Sequence, residues 1–266
     1  MDGLFLLVPV YNEAPNIPVL CEAFRQLVAQ FGDRFALRFV IVDDGSSDGT
    51  VAALRQEGAG LEMEVIQQPT NQGPGAAFAT GFSHLAGRIG EADWVITMEG
   101  DNTSRHELIT QMLTRAAEGF DAVFASPYMY GGGFTQTSFL RKLLSSGANL
   151  IVKDLLDIQG ILTVSSFFRL YRARTLLRLQ RVFGAGIVER RGFESMVEMV
   201  MKMTMLRITI SEVAMLLDSS RRKGKSKMKL LRTIAGYLAL WRYKRGWMEQ
   251  LKACDSEQRP REVKPV

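Results

Sequence analysis

Two carboxylic acids stand one residue apart, directly after a short apolar segment of the sequence. The segment is residues 94–98, WVITM, and Glu99, Gly100 and Asp101 follow it. Hard divalent cations such as Mg²⁺ take oxygen ligands, commonly one or two carboxylates together with the phosphates of a substrate. The pair therefore predicts a metal-diphosphate site, although an acid-glycine-acid sequence on its own is more often a solvated turn.

The apolar segment itself predicts a strand that is buried on both faces, as parallel strands are. In open α/β sheets, ligands bind at the carboxyl ends of the strands. If strand geometry continues past residue 98, the side chains of Glu99 and Asp101 project in the same direction. Both acids are then expected at the binding edge of a sheet.

Two other predicted strands also end in polar loops. Asp43 and Asp44 follow a predicted strand at residues 35–42, and we expect them to contact a ligand, whereas Asp48 is expected to cap a turn. Residues 69–77, PTNQGPGAA, precede a predicted helix whose first backbone N–H groups can bind phosphate. This last segment matches neither the Walker pattern nor the dinucleotide fingerprint, so it indicates little alone.

Strand and helix patterns alternate from residue 4 to residue 98. This alternation predicts an α/β fold with a mostly parallel sheet and helices on both faces. Strands are predicted at residues 4–9, 35–42, 63–67, 94–98, 122–126, 167–171 and 206–213. Helices are predicted at about residues 16–31, 51–57, 75–85, 105–118, 139–156, 192–203 and 228–251.

Positive charge is concentrated at the C-terminal end. From Arg221 onward the chain has 14 lysines and arginines against 4 acids, whereas the preceding part has 19 against 24. This asymmetry favours an anionic partner, either a lipid surface or a nucleic acid. No nucleic-acid partner is expected, because the basic residues lack a matching fold and interleaved aromatic residues. The two cysteines are far apart and predict neither a disulfide framework nor a zinc site.

The last predicted helix is basic and amphipathic, and it carries Trp241 and Trp247. Such a helix can lie in a membrane interface or pack back onto the domain, and of these two nearly equal alternatives we expect contact with a membrane surface. No apolar run reaches the roughly 18 residues of a membrane span, and the N-terminus lacks a signal-peptide pattern, so the mature chain is expected to begin near Met1. We expect a domain at 1–218, a basic loop with the amphipathic helix at 219–254 and a polar tail at 255–266.

The segments at the predicted strand ends resemble one known pattern. They are PVYNE at residues 9–13, VDDGS at 42–46, NQG at 71–73 and the acid pair at Glu99 and Asp101. In this order they resemble the family-two inverting glycosyltransferases with the GT-A fold, whose nucleotide-sugar domain carries such motifs.

The second half of the chain narrows the resemblance. It is similar to the dolichyl-phosphate mannose synthase branch and its bacterial polyprenyl-phosphate relatives, so that the resemblance covers about residues 4–240. The implied donor is a nucleoside-diphosphate sugar, the implied acceptor is a polyprenyl phosphate of the dolichyl or undecaprenyl type, and the implied cofactor is Mg²⁺ or Mn²⁺. The segments that carry this similarity are LRKLLSSGAN at residues 140–149, FRLYR at 168–172, GF at 192–193, EM at 198–199, Arg221 and GKSK at 224–227.

The resemblance also implies roles for individual residues. A guanidinium group suits phosphate geometry, which gives the arginine assignments a physical basis. Asp101, Arg141 and Arg221 are the implied catalytic residues, and Glu99 and Asp101 the implied metal ligands. The implied nucleoside contacts are Pro9, Tyr11, Glu13, Asp43 and Asp44, and the implied acceptor-phosphate contacts are Arg141, Ser145, Arg221 and Lys227.

Three positions depart from the family pattern. Glu99 stands where the family usually has aspartate, Pro127 where it has a further arginine, and Met196 where it has glutamine. Glutamate is one methylene longer than aspartate, so Glu99 places its carboxylate differently around Mg²⁺, which requires near-ideal octahedral geometry. These departures concern the identity of the sugar and of the acceptor more than the class of reaction.

The expected reaction expels a nucleoside diphosphate, whose developing charge needs a metal ion and cationic side chains. An acceptor phosphate is largely anionic already, with a second pKa of about 6, and needs no strong base. A hydroxyl acceptor would need one, and Glu194 and Glu198 are the candidates, although such a helical pair is more often solvated or ion-paired. A third alternative is a catalytically inactive membrane partner that binds nucleotide sugar. The resemblance implies a donor that is a cytoplasmic metabolite, so the expected location is the inner face of the membrane.

Overall fold

The computed structural model describes residues 1–135, 149, 153–221 and 230–258. Strands and helices alternate through the first of these ranges, as the sequence predicts. The described strands are β1 (Gly3–Val10), β2 (Ala36–Asp43), β3 (Met63–Gln67), β4 (Trp94–Thr97), β5 (Ala122–Ser126), β6 (Gly133–Thr135), β7 (Arg169–Arg172), β8 (Ile210–Ala214) and β9 (Leu216–Asp218). The described α-helices are α1 (Ile17–Phe31), α2 (Thr50–Glu57), α3 (Pro74–Leu85), α4 (Ile109–Ala117), α5 (Ala173–Phe183), α6 (Ser195–Met205), α7 (Leu230–Ala239) and α8 (Trp241–Gln258).

Seven strands form one sheet in the order β3-β2-β1-β4-β7-β5-β8. Neighbouring strands are parallel throughout, except that β7 is antiparallel to both β4 and β5. Strands β6 and β9 form a separate parallel pair. The predicted α/β fold with a mostly parallel sheet is confirmed.

The direction of β7 is a difference from the expected alternation. The segment at residues 167–171 is a strand, as predicted, but Arg169 lies opposite Phe124 and Tyr171 lies opposite Ala122. Strand β7 therefore begins at the edge of the sheet where β5 ends. A strand that begins at that edge runs antiparallel to the strands that end there, as β7 does beside β4 and β5.

Two apolar layers cover the faces of the sheet. Side chains of β1 alternate between them, with Phe5 and Leu7 in one layer and Leu4 and Leu6 in the other. Helices α3, α5, α6 and α8 contribute to the first layer, and α1, α2 and α4 contribute to the second. This alternation buries β1 on both faces, which places the sheet in the centre of the molecule and its loops at the edges.

Two differences from the predicted elements lie in the second half. Helix α5 has no counterpart in the prediction, although its leucines and arginines fall on opposite faces at helical spacing. The helix expected at residues 228–251 is divided at Leu240, which is fully buried and lies in a turn between α7 and α8. Of the helix expected at 139–156, only residue 149 and residues 153–156 are described, and they are helical. Among the described residues, no helix is both long and apolar enough to cross a membrane.

Candidate active site

The loops after β1 and β2 are joined by hydrogen bonds at one edge of the sheet. Asn12 has a left-handed backbone with φ of 50°, its N–H donates to Ser46 Oγ over 2.8 Å, and its Oδ1 accepts from the Ser47 N–H over 2.8 Å. The Glu13 N–H donates to Thr50 Oγ1 over 2.8 Å. The two loops that carry the predicted nucleoside contacts are therefore held side by side.

The predicted nucleoside residues of the first loop differ in their surroundings. Pro9 lies within β1, opposite Val42 of β2. Tyr11 is half-buried at the end of the strand. Glu13 is buried, and its Oε2 accepts a 2.5 Å hydrogen bond from Asn16 Nδ2, so this carboxylate also holds the turn that leads into α1.

Asp43 and Asp44 are both buried, and each carboxylate binds backbone N–H groups. The two oxygens of Asp43 accept from the Ser46 N–H at 3.3 and 3.2 Å. Asp44 Oδ1 accepts from Gln72 at 2.7 Å, and Oδ2 accepts from Gly73 at 2.8 Å. Burial raises the pKa of the Asp44 carboxyl above its ordinary value, and the hydrogen bonds from Gln72 and Gly73 oppose that rise. Asp44 thus ties the loop after β2 to the loop after β3, and its direct contact with a nucleoside stays a prediction.

The glycines of the loop after β3 permit a close approach to another segment. We call residues 71–75 the glycine turn. Gly73 has φ of +99°, and a Cβ added there would lie 2.4 Å from the Arg191 carbonyl oxygen. A Cβ at Gly75 would lie 2.0 Å from the Arg190 carbonyl oxygen, and the Gly75 N–H donates to the Arg191 carbonyl over 2.8 Å. Only glycine at these positions lets the turn contact residues 190–191, which precede α6.

The acid pair follows β4 at the same edge. Strand β4 ends at Thr97, and Gly100 and Asp101 lie in a turn, so strand geometry does not continue through the acids as the sequence argument supposed. A Cβ at Gly100 would lie 2.6 Å from Val10 Cγ1, which explains the glycine between the acids. Asp101 is only 8% exposed, and its Oδ1 accepts from the N–H and Oγ1 of Thr103 at 3.1 and 2.6 Å.

The donor atoms at this point suit a hard cation. Glu99 is half-buried, and its Oε2 accepts a hydrogen bond from Ser104 Oγ. Among the described residues, no three His, Cys, Asp or Glu side chains come together as a complete metal site. Two carboxylates with the remaining positions left to diphosphate and water are what Mg²⁺ commonly uses. The residues therefore fit a metal that is bound jointly by protein and substrate.

Arg221 lies close to the segment that follows the acid pair. It ends a short 3₁₀ helix after β9 and is half-buried. Burial lowers the pKa of His106, Glu107 raises it, and the positive charge of Arg221 lowers it further. Arg221 is thus near residues 106–107. The other predicted acceptor residues, Arg141, Ser145 and Lys227, lie outside the described residues.

The two candidate general bases have different environments. Glu198 is fully buried and forms a 2.5 Å ion pair with Lys202 Nζ, one helical turn away. Its carboxylate also accepts the N–H groups of Glu189 and Arg190, so it is engaged inside the protein. Glu194 is half-buried and accepts the Gly192 N–H at 3.2 Å. Glu198 is therefore an ion-paired residue, which the sequence left open as an alternative to a general base.

One buried cation was not singled out by the sequence argument. Arg169 in β7 is fully buried, and it donates to the carbonyl oxygens of Met196 and Val164 at 3.0 and 2.7 Å. Its guanidinium lies 4.3 Å from the centre of the Phe124 ring. The FRLYR segment contains this residue, but nothing in the sequence shows that the side chain points into the core.

Comparison with known proteins identifies a related family. The model of the family described as "Glycosyl transferase family 2" matches residues 5–179. Polyprenol monophosphomannose synthase of Mycolicibacterium smegmatis is 26% identical over 234 residues, which are 84% of this chain and 80% of that protein. Undecaprenyl-phosphate 4-deoxy-4-formamido-L-arabinose transferase of Pectobacterium carotovorum is 31% identical over 155 residues, which are 58% of this chain but only 44% of that protein.

Solved structures show the same fold. Glucosyl-3-phosphoglycerate synthase from Mycobacterium tuberculosis with phosphoglyceric acid aligns with a TM-score of 0.62 at 16% identity, covering 90% of this chain and 79% of that chain. The same enzyme with Mn²⁺, UDP and glucosyl-3-phosphoglycerate aligns with a TM-score of 0.58 at 15% identity, covering 95% and 80%. At this identity the similarity concerns the fold alone.

Proposed function

This chain belongs to glycosyl transferase family 2 and has the GT-A fold, and from that premise we propose that it transfers a sugar from a nucleoside-diphosphate donor to a polyprenyl phosphate. The relatives from Mycolicibacterium smegmatis and Pectobacterium carotovorum are named for transfer involving polyprenol or undecaprenyl phosphate. The proposed reaction proceeds with inversion at the anomeric carbon, as the resemblance of the sequence implies.

The observation that carries this proposal is the joining of four strand-end loops at one edge. Asp44 bonds to the glycine turn, Asn12 bonds to the loop after β2, and Gly100 packs against Val10 at the end of β1. The carboxyl ends of parallel strands are where α/β sheets bind ligands. The acidic side chains of these loops thus lie at the edge where we propose that the nucleotide binds.

The residues of this edge have distinct proposed tasks. Pro9, Tyr11 and Glu13 bound the nucleoside together with Asp43 and Asp44. Glu99 and Asp101 hold Mg²⁺ or Mn²⁺, and the cation when bound offsets the negative charge of the leaving diphosphate. Arg221 supplies a further positive charge near the acid loop, and Arg141, Ser145 and Lys227 are proposed to bind the acceptor phosphate.

An acceptor phosphate also agrees with the state of Glu198. A phosphate oxygen that is already anionic attacks the anomeric carbon without losing a proton to a base. Glu198 is occupied by Lys202 and two backbone N–H groups, so it is not available as a base for a hydroxyl acceptor. Transfer to a hydroxyl remains the second candidate, with Glu194 as its base.

The exposed face of the C-terminal helices is the proposed membrane contact. Trp241 is 62% exposed and Leu238 is 45% exposed, and the Arg245 side chain is 91% exposed. Each cation near an anionic lipid surface contributes about 1 kcal/mol. We propose that this face lies on the cytoplasmic side of a membrane, with 1–218 as the catalytic domain and 219–254 as the appended basic loop and helices.

The test is sugar transfer from a panel of radiolabelled UDP- and GDP-sugars into an organic-extractable lipid, with purified protein, polyprenyl phosphate and Mn²⁺. Asp101→Asn is expected to lower the rate at least about a hundredfold, because it removes a carboxylate ligand of the cation that offsets the negative charge of the leaving diphosphate. Glu91→Gln is the matched control, since Glu91 is an exposed acid just before the same strand.

Each outcome assigns the function. Metal-dependent labelling that Asp101→Asn abolishes and Glu91→Gln retains would support transfer to polyprenyl phosphate. Nucleotide binding without labelled lipid would contradict it and favour a hydroxyl acceptor. Full activity of Asp101→Asn would overturn the metal-dependent mechanism.

A further inference from the structure

A group of charged and aromatic side chains, of which Glu198, Lys202 and Trp247 are buried and Glu189 is exposed, lies beside the segment that contacts the glycine turn. We call Glu189, Glu198, Lys202 and Trp247 the anchor cluster. Lys202 Nζ lies 2.5 Å from Glu198 Oε1 and 3.2 Å from Glu189 Oε1, and it donates to the Gly186 carbonyl over 2.5 Å. Its ammonium also lies 4.6 Å from the centre of the Trp247 ring. The cluster therefore combines one cation, two carboxylates and an indole.

Glu198 fixes the backbone that precedes α6. Its Oε1 accepts the Glu189 N–H at 3.0 Å, and its Oε2 accepts the Arg190 N–H at 2.9 Å. Burial raises the pKa of Glu198, and the Lys202 charge and these N–H groups oppose the rise. A side chain of α6 thus determines where residues 189–190 lie.

Helix α8 reaches the same segment from the C-terminal end. Trp247 is 2% exposed, and its Nε1–H donates to Glu189 Oε1 over 3.1 Å. One turn earlier, the ring of Tyr243 lies 3.9 Å from the Arg190 guanidinium carbon. Both residues that Glu198 holds by the backbone are therefore held by α8 through their side chains.

The held segment is also the one that contacts the donor side of the sheet edge. The Arg191 carbonyl accepts the Gly75 N–H at 2.8 Å, and added Cβ atoms at Gly73 and Gly75 would meet residues 190–191 within 2.4 Å. Gly73 in turn donates its N–H to Asp44. A continuous series of contacts thus runs from α8 through residues 189–191 to the glycine turn.

Stability of the fold alone would not explain why the anchor cluster contains a buried ion pair. A buried ion pair seldom stabilises a fold more than apolar side chains of the same volume would, because both charges lose water. Its specific effect is geometric, since several hydrogen bonds fix one arrangement of the backbone. The arrangement fixed here is the surface on which the glycine turn rests.

We propose that Glu198, Lys202 and Trp247 are positioning residues, which hold the glycine turn in its nucleotide-binding shape and make donor affinity depend on the docking of α8. The part of this proposal that concerns donor affinity rests on the proposed function.

The first test needs no ligand. Trp247→Phe keeps an aromatic ring in the core but removes the indole N–H that Glu189 accepts. Hydrogen exchange of the Gln72, Gly73 and Gly75 amides is then expected to be about tenfold faster, in the range of typical coupling energies. Trp241→Phe makes the same chemical change at an exposed position of α8 and is expected to leave these amides unchanged.

Glu189→Ala is the second variant, because it removes the acceptor of both Trp247 and Lys202 and leaves the Glu198–Lys202 pair in place. It is expected to speed exchange at the same three amides. Faster exchange confined to α8, with the glycine turn as slow as in the unmodified protein, would overturn the proposal.

The second test is calorimetric titration of the full chain with UDP and with GDP in the presence of Mn²⁺. For the nucleotide that the unmodified protein binds, Trp247→Phe is expected to raise Kd about tenfold, and Trp241→Phe is expected to leave it unchanged. Equal Kd values in all three proteins would overturn the positioning role while leaving the transferase proposal intact. Binding of neither nucleotide, with the exchange result as expected, would instead contradict the proposed function.

Discussion

The side-chain amide of Asn102 donates a 2.9 Å hydrogen bond to the backbone carbonyl oxygen of Asn16. This bond connects the loop of the acid pair to the residue that immediately precedes α1. Asn102 is buried and has a left-handed backbone with φ of 63°, which Asn and Asp adopt more readily than other side chains do. The position of Asp101 therefore depends on a contact with a segment far away in the sequence.

Replacing Asn102 by Asp tests this contact. Asp tolerates the same backbone, but at neutral pH it has no N–H to donate and places a carboxylate against the Asn16 carbonyl. We expect the free energy of unfolding to fall by about 1–3 kcal/mol, as for a buried polar group that loses its partner. Urea denaturation measures this change in the free energy of unfolding. Asn102→Gly, which accepts the backbone without adding a charge, should lose less, and equal losses would contradict the electrostatic part of the argument.

Gly75→Ala tests the close contact between the glycine turn and residues 190–191. The added Cβ would lie 2.0 Å from the Arg190 carbonyl oxygen, so the two segments must separate. We expect the Kd for UDP or GDP to rise and the free energy of unfolding to fall by about 1–3 kcal/mol, as for an overpacked site. Gly87→Ala is the control, because a Cβ there has nothing within 4 Å. Unchanged binding and stability in Gly75→Ala would show that the contact is not required.

Asp121 should contribute stability that is lost in acid. Burial raises the pKa of this carboxyl, but hydrogen bonds from Thr209 and Arg174 outweigh burial and hold the pKa below its ordinary value. A carboxyl whose folded-state pKa is depressed stabilises the fold above its unfolded-state pKa, and the contribution disappears as the pH falls through the folded-state value. Asp121→Asn should therefore lower the free energy of unfolding by about 1 kcal/mol near neutral pH.

The difference between Asp121→Asn and the unmodified protein should shrink as the pH falls below 3.8, the ordinary value for this group. Urea denaturation over a pH series measures this, with Glu91→Gln as the exposed control. A difference that stays constant with pH would exclude the Asp121 charge as its source.

The two cysteines should react at very different rates in the folded protein. Burial raises the pKa of Cys21 to about 11, with a smaller opposing effect of Arg25, whereas Cys254 is half-buried. Because the thiolate is the reactive form, we expect iodoacetamide to modify Cys21 at least about a hundredfold more slowly than Cys254. Peptide mass spectrometry measures both rates, and denatured protein should modify both alike. Equal rates in the native protein would contradict the burial of Cys21.

Much of the first half of the fold follows from local patterns in the sequence. Strands β1 to β4 are apolar segments that end in polar loops, and their parallel order agrees with the prediction. The direction of β7 does not follow from residues 167–171, because the sequence of a strand does not show from which edge it enters the sheet. Helix α5 was detectable from its spacing of leucine and arginine and was nonetheless missed.

The sequence predicts where the candidate site lies in the fold, but it does not predict the hydrogen bonds that shape the site. The sequence indicates that Asp44 and the glycine turn lie at one edge, but their 2.7 and 2.8 Å hydrogen bonds depend on the packing of two distant loops. The sequence leaves open which of the two tryptophans of the last helix packs inward, and the structure buries Trp247 and exposes Trp241. Trp247 contacts Lys202 and Glu189, which lie far away in the sequence.

The central position of β7 has a consequence for synthesis on the ribosome. Strands β1 to β4 have all emerged once residue 102 has been synthesised, and the pairing among these four strands involves no later residue. Strands β4 and β5 can join the same sheet only after residues 169–172 are inserted between them. Because pairings between distant segments form slowly, we expect the hydrogen-bonding edge of β4 to stay unpaired in the nascent chain until residues 169–172 have emerged.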